Sequence, residues 1–245
     1  FLGQKWGIPL SAVSSIAKPA LHLAADAGVV KDETTNALLA WYDLSQAERV
    51  VIPRDGAKPP VYEEEGAGGR PAVAFPAGRG AALVIPNTAG DLFQEDFTLC
   101  FVYQAQAGTG CLLDGRVTTE DGEEGFSIRL DRSGAFEIRG KEEGVKLAST
   151  LNEPHLAVIT GRVLADRLAV TIWLDGKFHV EKEFPDARLF KNSPVDLLIG
   201  QSRAGDRGFT GQIGEIVIYN EALSAWDRQR LEKFMAGRWQ IDISG

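Results

Sequence analysis

Apolar side chains recur at every second position through the middle of the chain, in short segments rich in Val, Ile, Phe and Thr that are parted by Gly, Asp and Asn. This period of two predicts strands at 72–75, 82–85, 97–104, 111–114, 126–130, 135–139, 155–161, 168–174, 195–199 and 211–219. Two hairpins stand out. Asp131-Arg-Ser-Gly134 joins the alternating strand of Phe126, Ile128 and Leu130 to that of Phe136 and Ile138, and Asp175-Gly176 closes 168–174 onto 178–184. The period changes to that of a helix only near the end. Ser224, with Asp227 three residues on, reads as a capped start. Leu231, Phe234 and Met235 then share one face, with Arg228, Arg230, Glu232 and Lys233 on the other. Many strands with no interleaved helix predict an all-β, two-sheet antiparallel sandwich with a C-terminal helix. Its core should take Leu99, Phe101, Phe126, Ile128, Phe136, Ile138, Val170, Ile172, Val195, Leu197 and Ile199.

Composition adds exclusions. The 27 Gly and 11 Pro are scattered as turn formers, with no linker-like pool. A net charge of −8, with Lys and Arg single or beside acids, argues against a nucleic-acid partner. No apolar run is long enough for membrane insertion. Cys100 and Cys111 fit either a disulfide across a hairpin turning near Ala105 or two buried free thiols.

Candidate chemistry is sparse. Glu120-Asp-Gly-Glu-Glu124 lacks β-branched residues and reads as a solvated hairpin loop, and Glu181 and Glu183 as the polar face of an exposed strand. His22, His155 and His179 lie too far apart for metal-ligand spacing, each expected at a strand end or on an exposed face. The Gly66–Arg70 run precedes a strand, so it offers no helix N-terminus to a phosphate, and no Gly-x-Ser-x-Gly elbow occurs. Sugar recognition is better served. With Val170, Ile172 and Leu174 inward, Thr171 and Trp173 face outward, as do Ser127 and Arg129 on their own strand. These four are the candidate ligand-binding residues, unless a loop or a neighbouring domain covers Trp173.

The stretch Phe209–Ser224, with the strand Gly-Gln-Ile-Gly-Glu-Ile-Val-Ile-Tyr at 211–219, Ala222-Leu-Ser224 and a helix ending in Arg238-Trp239, resembles the C-terminal signature of laminin G-like, concanavalin A-like jelly-roll domains. Ala20–Asp26, Trp41-Tyr-Asp-Leu-Ser45 and Gly69–Phe75 resemble the family's opening strand, its W-x-D-x-S turn and its R-P-A-V-x-F strand. Gln46-Ala47-Glu48 replaces the Gly-Asn-Gly that often follows that turn. The resemblance implies a jelly roll in a larger extracellular, periplasmic or cell-envelope protein, with a glycan or protein ligand and neighbouring domains of the same chain as partners. The strand bearing Glu-x-Asp-x-x-Glu in glycan-cleaving relatives has no counterpart here, so a non-catalytic accessory module is expected. A structural spacer without ligand, or a glycoside hydrolase with an unrecognised site, are the alternatives. No cofactor is expected. Calcium is the one ion the resemblance admits, with Asp43, Asp114, Asp131, Asp175 and Asp206 as loop aspartates that show no fixed ligand spacing. Finally, residues 1–8 align without gaps with 234–241, keeping Phe, Trp and Ile. This makes residues 1–8 the tail of an upstream domain or a linker, and 9–245 the domain itself.

Overall fold

A computed structural model describes residue 13 and residues 15–78, 80–86, 88–93, 95–120, 122–139, 144–164, 167–185 and 195–243. The repeat expected of residues 1–8 lies outside the described residues. Sheet one runs, in spatial order, β17 (Lys177–Pro185), β16 (Arg167–Leu174), β15 (Pro154–Leu164), β8 (Phe97–Ala105), β19 (Gly211–Tyr219), β6 (Ala72–Phe75) and β5 (Val61–Glu63). The opening strand β1 (Leu21–Ala24) also pairs with β19. Sheet two runs β14 (Gly144–Leu147), β13 (Phe136–Arg139), β12 (Ser127–Leu130), β9 (Gly110–Asp114), β18 (Leu197–Ile199), β7 (Leu83–Ile85), β4 (Val50–Pro53), β3 (Leu38–Tyr42) and β2 (Val29–Lys31). A separate hairpin pairs β10 (Val117–Thr119) with β11 (Gly122–Glu124). All pairing within these strands is antiparallel, and the architecture is a two-sheet jelly-roll sandwich.

Alternation explains the packing. All eleven expected core residues lie in one buried cluster between the sheets. The central strands β8 and β19 break the alternation and are buried on both faces, because helix α2 (Ala225–Trp239) covers the outside of sheet one. Leu231, Met235 and Trp239 pack there on Cys100, Val102, Val158 and Val217. A strand covered on both sides can only be a near-continuous apolar run, which is what 97–103 is. The expected cap is formed. Ser224 Oγ accepts from the Asp227 amide at 3.1 Å and donates to the Asp227 carboxylate at 2.7 Å. A short helix α1 (Ala89–Phe93) precedes β8, and no helix among the described residues is long and apolar enough to cross a membrane.

Of the two alternatives for Cys100 and Cys111, the buried free thiols are the ones observed, since β8 and β9 belong to different sheets and the chain between them is a corner. That corner holds Thr109 at φ 78, a strained setting for a β-branched residue. Thr109→Gly should therefore raise the unfolding free energy by about 1 kcal/mol, the relieved left-handed strain outweighing the added chain entropy. Urea denaturation checks this, and a loss of stability would show the corner to be unstrained. The acidic string is indeed at a hairpin, but 122–124 forms strand β11, because pairing with 117–119 overrides a poor local propensity. His22 is neither at a strand end nor exposed: it sits within β1, buried against Glu215. Arg228 and Glu232 are also buried, so the inward stripe of α2 is wider than its apolar residues alone.

The W-x-D-x-S turn survives the loss of its glycines. Asp43 is buried, and its carboxylate accepts from the amides of His22 at 2.9 Å and Ser45 at 2.8 Å and from Ser45 Oγ at 2.8 Å. Glu48 takes the left-handed conformation, φ 50, that a glycine would adopt without strain.

Candidate functional site

The four outward-facing candidates fall on two opposite faces of the sandwich. Trp173 and Thr171 lie on β16 in sheet one, and Ser127 and Arg129 on β12 in sheet two. Alternation specifies inward or outward but not which sheet a strand joins, so it could not separate them. The structure keeps each pair together and sets the core between the pairs.

On sheet one, cross-strand register builds a small surface around Trp173. Phe178 on β17 is its direct partner, with ring centroids 6.3 Å apart at 67°, an edge-on contact. One position along, Thr171 lies between Thr160 on β15 and Glu181 on β17. Phe178 is 61% exposed, and a register shift separates its pairing with Trp173 from that of Val180 with Ile172. Trp173 is half-buried, and its ring is held by α2: the Arg228 guanidinium stacks over it at 4.1 Å from the centroid. Arg228 is fixed in turn, since its Nη1 donates to both carboxylate oxygens of Glu232 at 2.6 Å. Burial raises the Glu232 carboxyl above its ordinary value, and the guanidinium opposes this. The result is a rigid aromatic step flanked by hydroxyl and carboxylate side chains. Sequence reasoning missed Phe178, Arg228 and Glu232; the Asp175-Gly176 hairpin register was the signal that could have placed Phe178 beside Trp173.

On sheet two, the outward side chains of β9, β12 and β13 form a polar network. Asp114, fully buried, takes Arg116 in a fork, Nε to Oδ1 at 3.0 Å and Nη2 to Oδ2 at 2.8 Å. It also accepts the Arg203 amide at 3.0 Å. Arg129 donates through Nε to Glu137 Oε2 at 2.7 Å, with both residues buried. Ser127 stands opposite Asp114 on β9 and Arg139 on β13. Arg116 and Arg203 come from segments remote from Arg129, which is why no basic cluster is visible along the chain.

The five loop aspartates do not converge, and each already holds protein donors. Asp43 and Asp114 are described above. Asp131 accepts from Ser133 and Lys146, Asp175 from His155 at 2.7 Å and the Leu156 amide at 2.9 Å, and Asp206 from Ser202 Oγ at 2.6 Å. Among the described residues no group of three or more His, Cys, Asp or Glu could hold a metal ion. Glu183 pairs with Arg167 at 2.9 Å on the exposed edge of sheet one.

A family model described as the laminin G type of the concanavalin A-like lectin/glucanases superfamily matches residues 77–227. No curated protein matches the chain. Among solved structures it is similar to botulinum neurotoxin type C, in work on cell entry through two ganglioside molecules (11% identity, TM-score 0.64, 92% of this chain and 53% of that one). It is similar also to Trypanosoma rangeli sialidase in complex with an inhibitor (16%, TM-score 0.59, 88% and 33%). A third is domain 4 of the extracellular arabinanase AbnA from Geobacillus stearothermophilus with arabinotriose (16%, TM-score 0.57, 87% and 97%). The chain thus spans about half of the neurotoxin chain and a third of the sialidase chain, and at these identities the likeness is one of fold.

Proposed function

This chain belongs to the concanavalin A-like lectin/glucanases superfamily, and from that premise we propose that it is a non-catalytic module that binds uncharged sugar residues on the outer face of sheet one. The observation that carries the reading is Phe178, more than half exposed, standing edge-on to a Trp173 that Arg228 and Glu232 lock in place. A sugar presents an apolar face of C–H groups ringed by hydroxyls. Phe178 supplies the stacking surface, Thr171 and Glu181 supply hydrogen-bonding partners beside it, and the paired strands β16 and β17, with a register shift between these positions, hold all of them. The fixed ring matters because a pre-ordered site pays less conformational entropy on binding. Similar structures named for gangliosides and arabinotriose support a glycan as ligand. Glu181 and Glu183 share this face through their pairing with Thr171 and Ala169, and the engagement of Glu183 by Arg167 at 2.9 Å supports binding without cleavage. An accessory role in a larger secreted or envelope protein follows from this reading.

Glycan-array screening followed by calorimetry tests it. A neutral oligosaccharide should bind, Phe178→Ala should weaken it about tenfold, or 1.4 kcal/mol, and the melting temperature should not move, since the ring is mostly in water already. No reducing sugar should be released. Binding to nothing on the array would favour the spacer alternative, and turnover lost in Glu181→Gln would favour a hydrolase.

A further inference from the structure

Residues 148–153 cross from β14 in sheet two to β15 in sheet one, and a histidine that the sugar surface does not use fastens this loop. His155, the second residue of β15, stands opposite Tyr103 of β8 and is buried. Its Nδ1 lies 2.7 Å from Asp175 Oδ2, and its Nε2 lies 3.0 Å from the Thr150 carbonyl oxygen. Asp175 sits in the turn between β16 and β17, and its place is fixed independently of the ring. Its Oδ1 accepts the Leu156 amide at 2.9 Å, and its own amide donates to the Leu156 carbonyl at 2.8 Å. One imidazole therefore ties the loop to an anchored turn.

A carboxylate and a carbonyl only accept, so both contacts are hydrogen bonds only while both ring nitrogens carry protons. A neutral ring has one N–H. Asp175, the charged acceptor, keeps it on Nδ1, and Nε2 then presents a lone pair to the Thr150 carbonyl. In that state Nε2 accepts from the Thr150 amide at 3.2 Å or from Oγ1 at 3.0 Å. In the charged state Oγ1 keeps its proton for Glu153 Oε2 at 2.7 Å. Loss of one proton thus reverses the bonding at Thr150 and strips its carbonyl of this donor. The surroundings favour the proton. Burial opposes it, but the Asp175 bond and charge, the Thr150 carbonyl and the Glu153 charge outweigh burial and raise the His155 pKa above its ordinary value. The Tyr103 ring, 5.6 Å away, stays neutral because burial pushes its hydroxyl well up. The C-terminal segment brings Asp242 beside Ile243, which lies over Gly176, while Lys177 beyond the turn is exposed. Asp131, in the hairpin under Ser149, is paired with Lys146 at 2.9 Å.

We propose that residues 148–153 form a proton-operated latch, closed while the His155 imidazolium bridges Asp175 and Thr150 and opened when the ring loses its proton. Opening stays local, because two further ties of the loop do not titrate. Ser149 Oγ donates to the Gly134 carbonyl at 2.6 Å, and the Asn152 amide to the Ala105 carbonyl at 2.7 Å. A histidine whose pKa is raised on folding stabilises fully below its unfolded value, about 6.5, and that contribution is lost as pH rises through the folded value. The latch therefore holds at mildly acidic pH and weakens on the alkaline side. It operates whether or not sheet one binds a sugar.

An NMR titration of the intact chain from about pH 5 to pH 10, following the His155 ring and the loop backbone, tests the proposal. The ring should titrate with a midpoint above about 6.5, and the Thr150 carbonyl carbon and the amides of Thr150 and Glu153 should move at that same midpoint. His155→Gln should abolish the loop transition. Asp175→Asn removes the charge while keeping a side chain that tolerates the left-handed φ of 50 at this turn, and it should weaken proton binding by His155 at least tenfold. Urea denaturation supplies a readout that needs no loop assignment. The parent should lose stability as pH rises through the His155 midpoint, and Asp175→Asn should show a flatter curve over that window, which separates His155 from the other two histidines. A midpoint at or below about 6.5, a Thr150 carbonyl that stays still while the ring titrates, or parallel stability curves in parent and Asp175→Asn would each overturn the latch. Failure of neutral glycans to bind at Phe178 touches only the reading of sheet one.

Discussion

Trp239→Ala should cost about 3–5 kcal/mol of unfolding free energy. The indole is fully buried between α2 and the outer face of sheet one, where it is packed so closely over Gly214 that any side chain there would collide with the ring. Removing it leaves a cavity beneath the helix and deprives Glu215 of a donor, since Trp239 Nε1 reaches Glu215 Oε2 at 2.8 Å. The helix is then held by Leu231 and Met235 alone among its fully buried apolar side chains. Denaturant unfolding should show the full loss, and a change below 1 kcal/mol would mean that α2 is a loose appendage.

Glu215→Gln should cost about 3 kcal/mol at neutral pH and remove one part of the protein's acid sensitivity near the carboxylate range. Glu215 is buried on β19, where Oε1 meets His22 Nε2 at 2.7 Å and Oε2 meets Arg238 Nε at 3.1 Å. Burial alone would raise its pKa. The His22 contact, the Arg238 charge and the Trp239 donor together reverse this and hold the carboxyl below its ordinary value. A group depressed in the folded state stabilises above its unfolded pKa, about 4.3, and that contribution is lost as pH falls through the lower folded value. The parent protein should therefore lose stability on acidification below about pH 4.3, and Glu215→Gln should show a flatter curve over the same range. Because Trp239 and Glu215 share a hydrogen bond, the double variant should lose less than the two single losses combined. Parallel acid limbs in parent and variant would show that Glu215 contributes nothing to the acid sensitivity.

The features legible along the chain were those set by neighbours in sequence. Asp131–Gly134 and Asp175-Gly176 turn where their residues require it, Ser224 and Asp227 cap α2, and inward alternation assigned all eleven core residues. What was not legible depended on pairing between distant strands. Ser127 and Trp173 both face outward, yet β12 pairs with β9 and β16 with β15, so they lie on opposite faces. Arg228, Glu232 and His22 look like surface residues by type. They are buried because Trp173 and Glu215 offer partners that no local pattern reveals. The polar network on sheet two is hidden for the same reason: Asp114, Arg116, Ser127 and Arg203 meet only once β9, β12 and the loop after β18 are assembled.

The central claim is that sheet one presents a preformed sugar platform at Phe178 and Trp173. Its most direct test is to map a bound neutral oligosaccharide by side-chain and amide NMR shifts on the intact chain. The account predicts that the Phe178 ring, the Trp173 indole and the amides of Thr171 and Glu181 shift together in proportion to occupancy, with the core and the loops at the ends of the sandwich unmoved. Shifts confined to those loops, with Phe178 and Trp173 unchanged at saturation, would contradict it.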